Sequence, residues 1–383
     1  MKRIGLNTSV AALWVLVLLL AGCPAEQGKY TAQAAKDSEH SNRGMKAAAA
    51  YDNARQRFLA GDFKQALELV GNSLAMNHDV AETHVLRVRI LLEMGQEIET
   101  LRAVQEAKKV APHDSRICYY EGLLHERMGR PDKAMQCYTE AAWLAPESVQ
   151  YRLAIAEMMI EQGQLEQAAA YLDEQTKEHP NSPALLQTRA YVAMLQKQPA
   201  EAVRYLTQAC TLAPNQASLA EDLAKAHFDN GKYNEAMVYL RPLLGAKESQ
   251  DRLDLQYMAV RCLMELDQPV EAREILRKII ASDSGKHDFR AWEDMAAVSI
   301  KLGDQPQLRD TAARMMALDP KRVSGYLAMA MYEKLNGHMD AAAAALYHCR
   351  KVAGPSPIVD QCLADLAVQP EDGSRKAPAQ IKE

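Results

Sequence analysis

The chain is poor in aromatic side chains, with phenylalanine 4 times, tryptophan 3 times and aromatics together 6% of 383 residues. A many-stranded sheet needs β-branched and aromatic residues on its pleated faces, so almost no strand is expected. Glycine is sparse as well, at 18 residues, which suits helix interiors, where each glycine costs about 1 kcal/mol against alanine. Charge of one sign is also lacking. The 45 basic and 50 acidic residues leave a net charge of -5 and no basic stripe dense enough to follow a phosphate backbone, so nucleic acid is not an expected partner. Missing too are G-x-S-x-G, G-x-x-x-x-G-K-[ST], H-E-x-x-H and any pair of C-x-x-C. Of the scattered histidines, His84, His125 and His227 fall on helical positions that a core or surface role explains. No catalytic residue, no metal and no cofactor is therefore expected, and the chain is read as not an enzyme.

The one long apolar run lies at the amino terminus. Met1-Lys2-Arg3 is cationic, VAALWVLVLLL from Val10 to Leu20 is an apolar stretch of 11 residues, and Leu20-Ala21-Gly22-Cys23 closes it with small residues. That order describes a signal peptide, residues 1–22, and the run is too short to span a bilayer as a mature helix. LAGC resembles the lipobox of bacterial lipoproteins, which implies acylation of Cys23 and a lipid anchor facing the periplasm. Pro24 stands where many inner-membrane lipoproteins carry Asp, which favours the outer membrane over the inner. Residues 23–46 are polar and cannot bury enough surface to fold, so they read as the lipidated cysteine and a flexible tether.

Beyond the tether a phrase recurs: GDFKQALELV from Gly61, GRPDKAMQCY from Gly129, GQLEQAAAYL from Gly163 and GKYNEAMVYL from Gly231. Gly61, Gly95, Gly129, Gly163, Lys197 and Gly231 are each 34 residues apart, Asp267 and Gly303 follow after steps of 36, and Gly337 after 34 again. The eighth position of each unit is small in all nine: Ala54, Val88, Gly122, Ala156, Ala190, Ala224, Val260, Ala296 and Ala330. The twentieth position is Ala66, Thr100, Ala134, Ala168, Ala202, Ala236, Ala272, Leu308 and Ala342. Small side chains let two antiparallel helices approach closely. Pro112, Pro146, Pro180, Pro214 and Pro320 mark helix ends.

This pattern resembles the tetratricopeptide repeat family from about Ala47 to Ala353. The resemblance implies an all-α fold: a right-handed superhelical solenoid of about nine helical hairpins over 47–356, with PIVDQCLADLAV, 357–368, as a capping helix and 369–383 as a loose charged tail. Three departures stand out. The seventh position, commonly large and apolar, is Asn53, Arg87, Glu121 and Arg189 in units one, two, three and five; Leu308 replaces alanine in unit eight; the longer steps place insertions near Lys247 to Gln250 and Ser282 to Lys286. Six further cysteines are either small core residues or, in an oxidising compartment, the pairs Cys118–Cys137 and Cys349–Cys362.

In the family, partners lie along the concave face at positions two, five, nine, twelve and thirteen of the first helices. Here positions five and nine give Tyr51, Arg55, Arg89, Tyr119, Tyr191, Lys225, Tyr257 and Arg261, and tyrosine and arginine concentrate binding energy at interfaces. Glu93, Glu126, Glu157, Glu161 and Asp229 share the face, so the sign of the partner stays open. The lysine and asparagine pair of the family's carboxylate clamp occurs in no unit. The expected function is a membrane-anchored periplasmic scaffold that mediates protein–protein interactions in the cell envelope. The alternative is a pilotin-like assembly factor for a secretion or pilus machine, or an accessory of polysaccharide export.

Overall fold

A computed structural model describes residues 24–246 and 251–367. Residues 1–22, expected as a signal peptide, Cys23, the insertion near Lys247 to Gln250, Val368 and residues 369–383 lie outside the described residues. Among those described there are 19 helices and no strand. The described residues divide into two compact units, with the boundary between Tyr171 and Leu172.

The first unit pairs the end of Pro24–Leu59 with Phe63–Met76, Ala81–Glu93 with Glu97–Val110, and Ser115–Arg127 with Pro131–Leu144, and continues into Val149–Glu161 and Leu165–Glu178, within which the division falls. The second pairs Pro183–Leu195 with Pro199–Leu212, Ala217–Asp229 with Tyr233–Gly245, Leu253–Glu265 with Pro269–Ala281, Phe289–Leu302 with Gln305–Leu318, and Val323–Leu335 with Met339–Ala353, and ends on Pro357–Ala367. These are the nine expected hairpins and the closing helix of an all-α repeat fold.

The small positions sit where the repeat requires them. All nine eighth-position residues are buried, and every twentieth-position residue, Leu308 included, is 0% exposed. Helices Glu97–Val110, Pro131–Leu144, Leu165–Glu178, Pro199–Leu212 and Gln305–Leu318 each stop two residues before a proline, whose ring disfavours helical backbone in the residue ahead of it. Cap residues begin some helices: Asp62 accepts from the amide of Gln65 and Asp304 from that of Gln307.

Between paired helices the backbone turns through the left-handed region. Gly61 has φ 78° and Gly231 φ 69°, and the non-glycine counterparts Lys197 and Asp267 keep the same geometry at φ 58° and 57°. A side chain there costs roughly 1–2 kcal/mol that glycine avoids. Part of that gain is lost to the greater freedom of an unfolded glycine chain. Lys197→Gly is accordingly expected to raise stability by about 1 kcal/mol in a chemical melt, and an unchanged or lower midpoint would contradict the reading.

The expected tether needs correction. Residues 24–46 are helical rather than a flexible tether, because Pro24–Leu59 is one helix. Residues 31–43 are exposed without exception and Ala47 is the first to be buried, at 3%. A polar composition forbids burial, but it does not forbid extending a helix already nucleated by the first hairpin. Local pairs four residues apart support the extension, Gln33 to Asp37 at 3.0 Å and Arg43 to Glu39 at 3.2 Å. Of the four polar seventh positions, three pack as ion pairs. Arg87 meets Glu106 at 2.5 Å, Glu121 meets Lys108 at 2.5 Å, and Arg189 meets Asp173 at 2.8 Å. Asn53 is exposed.

The insertion at Ser282 to Lys286 forms a tight turn. The Ser282 hydroxyl donates to the Ile279 carbonyl at 2.7 Å and accepts from the Gly285 amide at 3.0 Å. At the carboxyl end, Val359 of Pro357–Ala367 is 0% exposed and packs in a cluster with Tyr326, Leu346 and Cys349 of the last hairpin. That is the capping role expected of a terminal element in a repeat array.

Candidate functional site

Within each unit, clefts open between the first helices of neighbouring hairpins, one in the first unit and two in the second. In the first unit, a cleft of about 100 Å³ is lined by Tyr51 and Arg55 of the first hairpin, Glu82, Val85, Leu86 and Arg89 of the second, and Arg116 and Tyr120 of the third. The Arg89 guanidinium lies 4.8 Å from the centre of the Phe58 ring and 5.8 Å from that of Tyr120, so cation–π contacts hold it in place. Arg116 is held by Asp114 at 2.5 Å and by Glu82 at 3.6 Å. With Arg116 paired to Asp114 and Glu82, the Arg55 and Arg89 guanidinium groups leave this cleft cationic.

In the second unit, a cleft of about 240 Å³ lies between the fifth and sixth hairpins. Gln187, Tyr191 and Met194 face Asp222, Lys225 and Asp229 there. Gln187 donates to Asp222 at 2.6 Å. Tyr191 is 55% exposed, its ring presented to solvent.

The third cleft, also in the second unit, is the largest of the three at about 460 Å³ and is mostly apolar. It is lined by Ala297 and Ile300 of the eighth hairpin, Leu327 and Met331 of the ninth, and Leu366 of the closing helix, with Glu293, Lys334 and Asp365 also on its walls. Ser324 donates to Glu293 at 2.6 Å on one wall.

Of the residues expected on the binding face, Tyr51, Arg55 and Arg89 share the first cleft, and Tyr191 and Lys225 share the second. The remaining three sit elsewhere. Tyr119 is half-buried, 5.6 Å from the ring of Tyr138 and 5.3 Å from that of Tyr151, so it belongs to the core of the third and fourth hairpins. Tyr257 is only 4% exposed and its hydroxyl donates to Asp288 at 2.5 Å. Burial and the Asp288 carboxylate push its phenol well up, and Arg290 covers the ring at 4.2 Å. Its placement on an open wall is therefore corrected. Arg261 is exposed and lies 5.0 Å above the Phe228 ring.

The third cleft was not anticipated, although its signal is in the sequence. Glu293 and Leu327 occupy fifth positions, Ala297 and Met331 ninth positions, and Ile300 and Lys334 twelfth positions of the last two units. Carrying the same frame across the second 36-residue step finds them.

The cysteines among the described residues are all free, which decides between core residues and bridges: Cys118, Cys262 and Cys349 are buried, and Cys137, Cys210 and Cys362 are partly so. Burial pushes the thiols of Cys118 and Cys262 up to about 11, so they remain protonated and inert at neutral pH.

The sequence pattern of the tetratricopeptide repeat matches residues 39–292. The TPR repeat-containing protein YpiA of Bacillus subtilis (strain 168) is 23% identical over 246 residues, 62% of this chain. The chain spans 57% of that protein's length. Among solved structures, PilW, a type IV pilus biogenesis factor, is similar with a TM-score of 0.45 and 20% identity over 54% of this chain and 98% of its own. The C-terminal part of a TPR repeat-containing protein from Cytophaga hutchinsonii reaches a TM-score of 0.47 at 14% identity, over 73% of this chain and 99% of its own.

Proposed function

Because the chain belongs to the tetratricopeptide repeat family, a family of protein-interaction scaffolds, we propose that it gathers protein partners of the bacterial cell envelope along the first-helix faces of its hairpins. One observation carries this reading: three clefts recur at the same repeat positions, where aromatic, guanidinium and apolar side chains stay accessible instead of packing into the core. Such side chains are the anchors from which interfaces draw most of their energy. The first cleft, with Arg55, Arg89 and Arg116, fits an acidic stretch of an extended segment, and the third fits apolar side chains. The working arrangement is a lipid anchor at Cys23, followed by the clefts that receive the guest.

Two experiments test the proposal. A photo-crosslinking residue at position 55 or 89 should trap a partner in living cells. Replacing Arg55 and Arg89 with Glu should cut that capture at least tenfold while helical circular dichroism stays unchanged, and equal yields would remove the first cleft. For the anchor, Cys23→Ser should abolish metabolic labelling with palmitate, whereas persisting label would overturn the lipid assignment.

A further inference from the structure

The third hairpin carries a side-chain cluster that none of the clefts uses. Glu121 and His125 stand four residues apart on Ser115–Arg127, hence one above the other on the same face. Cys137 reaches them from Pro131–Leu144, and one donor atom from each of the three lies within 4.8 Å of the others. His125 is only 7% exposed, and its Nδ1 is buried without a hydrogen-bond partner. Buried polar atoms are nearly always paired, so this nitrogen calls for an explanation. Glu121 already receives a cation, the Lys108 ammonium, at 2.5 Å.

We propose that Glu121, His125 and Cys137 form a binding site for a divalent cation of the zinc class, with water completing a four-coordinate shell. One thiolate, one imidazole and one carboxylate are the donor types that select a borderline-soft ion over Mg²⁺ or Ca²⁺. Tetrahedral zinc holds such donors roughly 3.3–3.6 Å apart, as its bond lengths dictate. The cluster therefore closes by about 1 Å through side-chain rotation on two helices that the repeat already fixes. On binding, the Cys137 thiol gives its proton to solvent and its sulfur lone pair to the metal, with no change of oxidation state. The Lys108 ammonium leaves the carboxylate. Without the ion, burial and then Glu121 push that thiol up to about 12, so the empty site carries no thiolate charge.

The test is a zinc titration of the full chain against a competing chelating dye. One Zn²⁺ per chain is expected, with affinity falling at least tenfold in His125→Gln and in Cys137→Ser. Lys108→Met should tighten binding at least threefold, because the competing ammonium is gone; a purely structural cluster predicts no such gain. Co²⁺ in place of Zn²⁺ should give a thiolate-to-metal charge-transfer band that Cys137→Ser removes. Absence of stoichiometric binding at micromolar zinc, or binding indifferent to His125→Gln, would overturn the site. Should Cys137→Ser fail to fold, the cobalt band in the unaltered protein decides, since its absence excludes a cysteine ligand.

Discussion

Asp173→Ala is expected to cost about 3 kcal/mol, whereas Arg189→Met at the other end of the same ion pair should cost under about 1 kcal/mol. The asymmetry follows from burial. The Arg189 side chain is 5% exposed and the Asp173 side chain 38%. Arg189 donates to Asp173 at 2.8 and 3.3 Å, approaches Glu201 at 3.3 Å and lies 4.8 Å over the Tyr205 ring. Removing Asp173 takes both hydrogen bonds from a guanidinium that is 5% exposed and leaves it only Glu201, and it also takes the acceptor at 2.6 Å from the Tyr205 hydroxyl. Removing Arg189 leaves a carboxylate that water can reach, with a thioether filling the volume.

The pair also predicts a pH dependence. Partial burial pushes the Asp173 carboxyl up, but hydrogen bonds from Arg189 and Tyr205 outweigh it and hold the group below the usual carboxylate range. A carboxyl depressed in the folded state stabilises above its unfolded value of about 3.9 and loses that contribution as pH falls through the lower folded value. The gap between the parent chain and Asp173→Ala should therefore be full at pH 7 and narrow below about pH 4. Denaturant midpoints at the two pH values decide it, and a gap that widens in acid would refute the assignment.

Gly122→Ala comes next in size, with an expected net loss of about 2 kcal/mol. A Cβ at Gly122 would stand 2.5 Å from Cε1 and 2.6 Å from Cδ1 of Tyr138. The ring has nowhere to retreat: Tyr138 is 1% exposed, its hydroxyl donates to Glu126 at 2.6 Å, and the Tyr119 ring lies 5.6 Å away. Overpacking of this kind costs about 1–3 kcal/mol, and the close contact places it at the upper end. The better helix propensity of alanine returns only about 1 kcal/mol. The two changes should be strongly non-additive. In a Tyr138→Leu background the clash is gone, so adding Gly122→Ala should then stabilise. If the double variant is weaker than Tyr138→Leu alone, the steric account fails.

Much of the architecture was legible because the repeat writes one geometric demand in one place each time. The turn is the clearest case: Lys197 and Asp267 could be aligned with glycines by spacing alone, and their left-handed backbone bears that out. What spacing does not encode is depth. A 3.6-residue period says which side of a helix a residue takes but not how far a neighbour covers it. Hence Tyr51 and Tyr257, both at fifth positions, differ: one lines a cleft, and the other is sealed with Asp288 supplying its acceptor. Polar seventh positions were illegible for a related reason. The partner of Arg189, Asp173, belongs to the preceding repeat at a position the consensus does not constrain. The helix over 24–46 leaves no apolar stripe in the sequence, because its exposed part buries no side chain and only its continuity with the first hairpin orders it.

The closing helix is an end stop in a structure whose hairpins lean on their sequence neighbours, and this has a kinetic consequence. Arrays of this kind unzip from their termini, and a lid of 11 residues is the last barrier before Leu346 and Cys349 meet water. Cys362, Asp365 and Leu366 of that lid also wall the third cleft. Amide exchange should therefore be fastest at this end of the second unit, and any molecule seated there would slow it, coupling occupancy of the cleft to the lifetime of the chain against proteolysis.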